Sequence, residues 1–305
     1  MTEKWNMDIR FDKDSSITEE DLSKKDIKDL RQIVRTSEYA AKKYERYELE
    51  KTKNELTIIH RMNEAIKILL ADLELPPLTI SDKAVHIIKV SEYKKNVKPG
   101  AAGHQAGGNI FITRHSGDEA VFIGDLSHEI AHDLGYHLKK FLITKNEGGN
   151  IDIDINEAIK NFIHNTAKGS YVGIGFTEGM TEIISRGIRR AYSDIAKVGP
   201  KQRQKLDKYN AYLDPILVLE NIFDLINPDN PDEALYLFAK AYITGDQKIF
   251  KIISDKFRAM GIKDGLKILM QMGPTPDDAT ITAEKLKLKQ ARKNIIDAYT
   301  KRYLI

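Results

Sequence analysis

The chain has 305 residues, with 48 Lys and Arg against 45 Asp and Glu, a net charge of +3, and no cysteine. That near-balance gives no electrostatic ground for a dedicated nucleic-acid binder or a polybasic membrane anchor. The lack of cysteine excludes disulfide scaffolds, thiol nucleophiles, Cys-ligated zinc and iron–sulfur clusters, so any metal must be held by His, Asp or Glu.

Residues 1–18 read as a polar lead-in without the apolar stretch of a secretory leader, and no run of 18 apolar residues occurs anywhere. A cytoplasmic chain without a transmembrane helix is therefore expected, with leaderless export left open. Residues 21–72 follow a helical period: Leu30, Ile33 and Val34, then Leu56, Ile59, Met62, Ile66, Leu69 and Leu70. Between these groups the charged, tyrosine-rich stretch 42–53 reads as solvated. Pro76-Pro77 closes the region, because proline cannot continue a helix. Strands are expected at residues 83–90 (KAVHIIKV) and 109–114 (NIFITR), both rich in β-branched residues. The glycine-rich loop 99–108 lacks a following Lys-Ser/Thr, so it reads as a turn between strands and not as a phosphate-binding loop. Helices are expected over 118–142, 156–166 and 176–191, with a break at Gly148-Gly149. After Gly199-Pro200 the chain reads as helix to its end, interrupted at 227–231, Gly245, Gly261 and 273–276. The last segment, 285–302, is a basic amphipathic helix packed by Leu286, Ile295, Ile296 and Tyr299. The expected fold is α+β and predominantly helical: an N-terminal helical region (1–75), a small α+β core (76–195) and a C-terminal helical lobe (196–305).

The chemistry is concentrated in Ser127-His128-Glu129-Ile130-Ala131-His132, an HExxH string. On a helix, residues four apart are offset by about 40° in rotation and 6 Å in rise, so both imidazoles face the same way. Two neutral imidazoles so placed can bind one Zn²⁺ at about 2.0–2.1 Å, and the adjacent Glu129 can take a proton from the water the ion activates. The apolar neighbours Val121, Phe122, Leu126, Ile130, Ala131 and Leu134 make this a buried helix, where unpaired polar groups are costly.

A catalytic zinc takes three protein ligands and keeps one position open. His137 is about 140° around the helix from His132 and does not face the metal. It fits a surface or capping place near the helix end. A metzincin needs His six residues after the second ligand, where this chain has Leu138. Two glutamates compete for the third place: Glu178, in Gly175-Phe176-Thr177-Glu178-Gly179-Met180-Thr181-Glu182, and Glu157, in Ile155-Asn156-Glu157-Ala158-Ile159.

HExxH followed by a helix that begins Glu-Gly resembles the gluzincins, zinc metallopeptidases whose third ligand is a glutamate on a second helix. The segment 173–186 (GIGFTEGMTEIISR) is similar to the EGxTE segment of bacterial gluzincin-like proteins, and the likeness extends over about residues 109–246. It implies a zincin-like core with a small sheet and an active-site helix. It further implies His128, His132 and Glu178 as zinc ligands, Glu129 as general base, and Glu182 as a residue that orients a metal-bound imidazole. The plain alternative for Glu182 is a solvated charge paired with Arg186. Glu157 keeps its claim, because INEAI resembles the third-ligand segment of thermolysin at a comparable spacing. Against it, the position four residues on is Asn161 and not an acid. With Glu178 as ligand, residues 143–174 become an insertion, and His164 within it a distant candidate for a contact. The resemblance also implies a peptide or protein substrate laid along an edge strand, for which 109–114 is the expected place, and an oxyanion donor from Tyr212 or Tyr242, with Tyr212 preferred. The function expected is that of a zinc-dependent metallopeptidase. Its rivals are a zincin-fold binding or scaffold protein and an intracellular regulatory protease with one partner.

Overall fold

The computed structural model describes residues 7–11, 39, 42–97, 102–106, 109–114, 118–137, 141–145, 151–155, 174–209, 212–244 and 247–303. Helices dominate these residues, accompanied by two small three-stranded sheets, so the chain is α+β and predominantly helical. It divides into two compact units. The first comprises Met1–Lys160 with Ile188–Asp207, the second Asn161–Gly187 with Lys208–Ile305.

In the first unit, helix α1 (Lys53–Asp72) starts at a reciprocal cap. Thr52 Oγ1 accepts from the Glu55 backbone N–H at 3.2 Å, and Glu55 Oε2 accepts from the Thr52 N–H at 2.7 Å. Its apolar stripe, Ile58, Ile59, Met62, Ala65, Ile66 and Leu70, is buried. Glu55 does a second job, accepting from Arg114 Nε at 2.7 Å and Nη2 at 2.8 Å. Burial alone would raise the Glu55 carboxyl, but the Arg114 and Thr52 hydrogen bonds outweigh it and hold the group below the usual carboxylate range.

Arg114 ends strand β4 (Asn109–Arg114), which lies at the centre of the sheet β2 (Val85–Lys89), β4, β3 (Gly103–Ala106). It runs parallel to β2 and antiparallel to β3. Asn109 to Thr113 are all buried, as expected of a strand covered on both faces. The other side of β2 is met by Glu48 and Leu49, through a Glu48–Ile88 bridge and a 2.7 Å bond from Leu49 N–H to Ile87 O. Residues 109–114 are therefore not the edge strand expected from the sequence. That place belongs to β3, which lies inside the supposed turn.

Alternation gives the sheet two distinct faces. One carries Phe111 stacked between His86 (4.7 Å) and His104 (4.9 Å), with Tyr44 edge-on at 5.2 Å. Tyr44, Ile88, Tyr93 and Phe111 form a buried cluster with Tyr47 against it. The stretch 42–53 is thus not simply solvated, because its tyrosines cover this face. The opposite face, with Ile110 and Ile112 at its centre, packs on helix α2 (Glu119–His137).

The second sheet is built from β1 (Met7–Phe11), β6 (Ile151–Ile155) and β5 (Phe141–Lys145) in that order, with β6 parallel to β1 and antiparallel to β5. Two expectations change here. Part of the polar lead-in is a strand, and the helix expected to reach residue 142 ends at His137, with Phe141 already in β5.

Helix α3 (Ile174–Ile195) contributes its first fourteen residues to the second unit and the rest to the first. Helix α4 (Pro200–Lys208) completes the first unit. The second continues with α5 (Leu213–Ile226), α6 (Pro231–Thr244), α7 (Gln247–Ala259), α8 (Gly265–Met270), α9 (Pro276–Lys285) and α10 (Lys289–Tyr303). Helix α5 is its hub, packing on α6, α9 and α10 and burying Ile216, Val218, Leu219, Ile222, Phe223 and Ile226. The basic segment 285–302 is not one helix. Lys287 takes a positive φ of 60°, and Leu288 N–H turns back to Ala283 O at 2.7 Å, which closes α9 before α10 begins. Leu286 and Ile295 are buried as expected, whereas Ile296 is half exposed. Among the described residues no helix is long and apolar enough to cross a membrane.

Candidate metal centre

Helix α2 carries an unusual burden for a buried helix: Asp125, Ser127, His128, Glu129 and Asp133 are all buried. Its apolar residues Phe122, Ile123, Leu126, Ile130 and Leu134 hold it in the core, and the polar groups are carried in with them. Ser127 Oγ donates to Gly124 O at 2.9 Å and accepts from Arg189 Nη1 at 3.3 Å. The His128 and His132 rings lie 4.8 Å apart and nearly perpendicular. This is the shared face expected of residues four apart.

His128, His132 and Glu178 each offer a ligand atom, all within 4.8 Å of one another, so these three residues form a group that could hold a metal ion. Two donors bound to one ion at about 2.0–2.1 Å are no more than about 4.2 Å apart. The donor set also suits a borderline cation: two imidazole nitrogens and one carboxylate, with no thiolate in the chain. Glu157 and His164 lie outside the described residues, as does the side chain of His137, whose backbone ends α2 where a terminal position was expected.

Two glycines account for the place of Glu178 in its own unit. A Cβ on Gly179 would come 2.8 Å from Leu219 Cδ1 and 3.1 Å from Pro215 Cβ, so α5 approaches α3 closely at the Glu-Gly step. Gly175 N–H donates to Met272 O at 2.9 Å, and a Cβ there would collide with the backbone of Gly273. The first turn of α3 is thereby fixed by the loop between α8 and α9. Four residues beyond Glu178, Glu182 is fully buried, which overturns its reading as a solvated charge, and Arg186 pairs with Glu220 at 2.9 Å.

Of the two tyrosines named as oxyanion donors, Tyr242 is buried with its hydroxyl 2.8 Å from Thr181 Oγ1. Burial, and to a lesser degree the charge of Glu178, push its phenol well above the usual range despite that bond. Tyr212 is half-buried at the N-terminal boundary of α5.

The sequence reading missed what lies along β3. A Cβ on Gly103 would stand 2.8 Å from both Cγ and Oε1 of Glu129, so that carboxylate lies against the strand's backbone. Two residues on, Gln105 Nε2 donates to Asp133 Oδ1 at 3.1 Å. From the strand's other face, His104 Nδ1 bonds the Tyr93 hydroxyl at 2.6 Å. Burial raises the Tyr93 phenol far above its ordinary value, and the negative charge of Glu129 adds to this. The signal was present: Ala106 and Asn109 pair across two residues, Gly107-Gly108, and a two-residue Gly-Gly link is a hairpin signature. No protein-family model matches the chain, and no curated protein or solved structure is significantly similar to it.

Proposed function

We propose that this chain is a zinc-dependent metallopeptidase of gluzincin type. The single observation that carries the reading is the convergence of His128, His132 and Glu178 within 4.8 Å, with the buried carboxylate of Glu129 next in sequence to His128.

His128 and His132 would hold the ion through ring nitrogens and Glu178 through a carboxylate oxygen. Bound there, zinc supplies Lewis acidity toward a carbonyl oxygen and lowers the pKa of a water molecule toward neutrality. Everything else falls to the chain. Glu129 accepts the proton of the attacking water on a carboxylate oxygen, the water oxygen bonds to the peptide carbonyl carbon, and the C–N bond breaks as Glu129 delivers the proton to the leaving nitrogen. The backbone of β3 offers hydrogen bonds to an extended peptide, and the Tyr212 hydroxyl is the donor proposed for the developing oxyanion. Tyr242 is the weaker choice for that role, since its hydroxyl is already engaged with Thr181.

The test is hydrolysis of an internally quenched peptide library by zinc-loaded protein, with Glu129→Gln as control. Cleavage by the wild type, reduced about 10²–10⁴-fold in the control at equal zinc content, is the expected result. Zinc-loaded wild type without activity on any library member, or cleavage undiminished in Glu129→Gln, would contradict it.

A further inference from the structure

We infer that Gly103 is a positioning residue for Glu129. Resting on the peptidase reading above, the inference adds that the missing side chain on the edge strand decides where the proton-accepting carboxylate lies.

If position 103 carried a methyl group, either the strand or the Glu129 side chain would have to yield. A Cβ there would come 2.8 Å from Glu129 Cγ, 2.8 Å from Oε1 and 3.1 Å from Cδ, closer than carbon and oxygen atoms pack. The strand is poorly placed to retreat. Its ladder to β4 pairs Gly103 with Ile112 and Ala106 with Asn109, and Thr113 N–H donates to Ala102 O at 3.0 Å just before it. Gln105 ties it to Asp133, one helical turn beyond Glu129 on the same face of α2. His104 is held from the other face by Tyr93 at 2.6 Å and by stacking on Phe111. Helix α2 is fixed in its turn by Leu126, Ile130 and Leu134, all buried. The atoms nearest to that Cβ all belong to the Glu129 side chain, whose three rotatable bonds let its end shift where backbone does not. A methyl at 103 is therefore accommodated by displacing the carboxylate, and a displacement near 1 Å can cost on the order of 10²-fold in rate.

Gly103→Ala, made in the full chain, tests this in two independent ways. In zinc-loaded protein, turnover of the quenched peptides is expected to fall about 100-fold, with zinc affinity, measured by competition with a chromogenic chelator, changed less than about twofold. In protein stripped with EDTA, thermal unfolding is compared for Gly103→Ala in the wild-type and Glu129→Ala backgrounds. The substitution is expected to lower the melting temperature with Glu129 present and not without it, a coupling that a generic strand effect of alanine would not produce. Full turnover in Gly103→Ala, or an equal thermal effect in both backgrounds, overturns the inference. Should the wild type cleave nothing, the peptidase reading falls and the thermal cycle still decides whether Gly103 seats Glu129.

Discussion

Glu129 and Glu55 are two buried glutamates of the first unit in different surroundings. Glu55 is anchored by charge: Arg114 grips both oxygens while Thr52 closes the cap. Because its folded-state carboxyl is held below the ordinary value, this contribution is complete above the unfolded-state pKa and is lost as pH falls through the folded-state pKa. Acid unfolding should therefore begin at higher pH in Arg114→Ala, which we expect to cost about 1–2 kcal/mol at neutral pH, measured by denaturant titration at several pH values. Glu129 is buried on α2 and lies against the backbone of β3 at Gly103. In the peptidase proposed above, Glu129 is the group that would accept and return a proton. The HExxH spacing made His128, Glu129 and His132 legible in the sequence, since their relation is local to one helix. Gly103 was not legible as their neighbour, because it reaches Glu129 only through the pairing of β3 with β4.

At the scale of elements, the glycines of α3 fix the surroundings of Glu178 within its own unit. Gly179 admits the side chains of Pro215 and Leu219, and Gly175 admits the backbone of Gly273. Gly179→Val should overpack this contact and cost about 1–3 kcal/mol, with weakened zinc binding by chelator competition. Gly175→Ala should do more harm, since its obstacle is backbone that cannot rotate away; comparing the two melting temperatures checks the order. Elements with a single strong period were readable: α1, α3, β4 and most C-terminal helix breaks lie close to where hydrophobic spacing and glycine or proline put them. Those set by pairing were not. The strands Phe141–Lys145 and Ile151–Ile155 have β-branched runs, but FLITK continues the apolar character of α2, and the polar strand Met7–Phe11 is specified by its parallel partner more than by its own composition. The basic C-terminal run reads as one helix because lysine is a good helix former, yet a positive φ at Lys287 divides it.

For the whole molecule, a metal held by His128, His132 and Glu178 would couple binding to folding. An ion that binds the folded chain and not the unfolded one stabilises it by about 2.7 kcal/mol at 100-fold excess over Kd. For a chain of this size zinc should raise the melting temperature by several degrees. His128→Ala should abolish that increment. Manganese or magnesium should give less than zinc, because the donor set is nitrogen-rich.

The central claim is that His128, His132 and Glu178 together bind one zinc ion, and zinc stoichiometry by elemental analysis tests it most directly. Wild type, Glu178→Ala and Glu157→Ala would be compared after reconstitution and removal of loosely bound ion. Close to one zinc per chain is expected in the wild type and in Glu157→Ala, and loss or marked weakening in Glu178→Ala alone. Retention in Glu178→Ala with loss in Glu157→Ala would move the third ligand to Glu157, and a wild type that binds no zinc would contradict the metal centre and the peptidase with it.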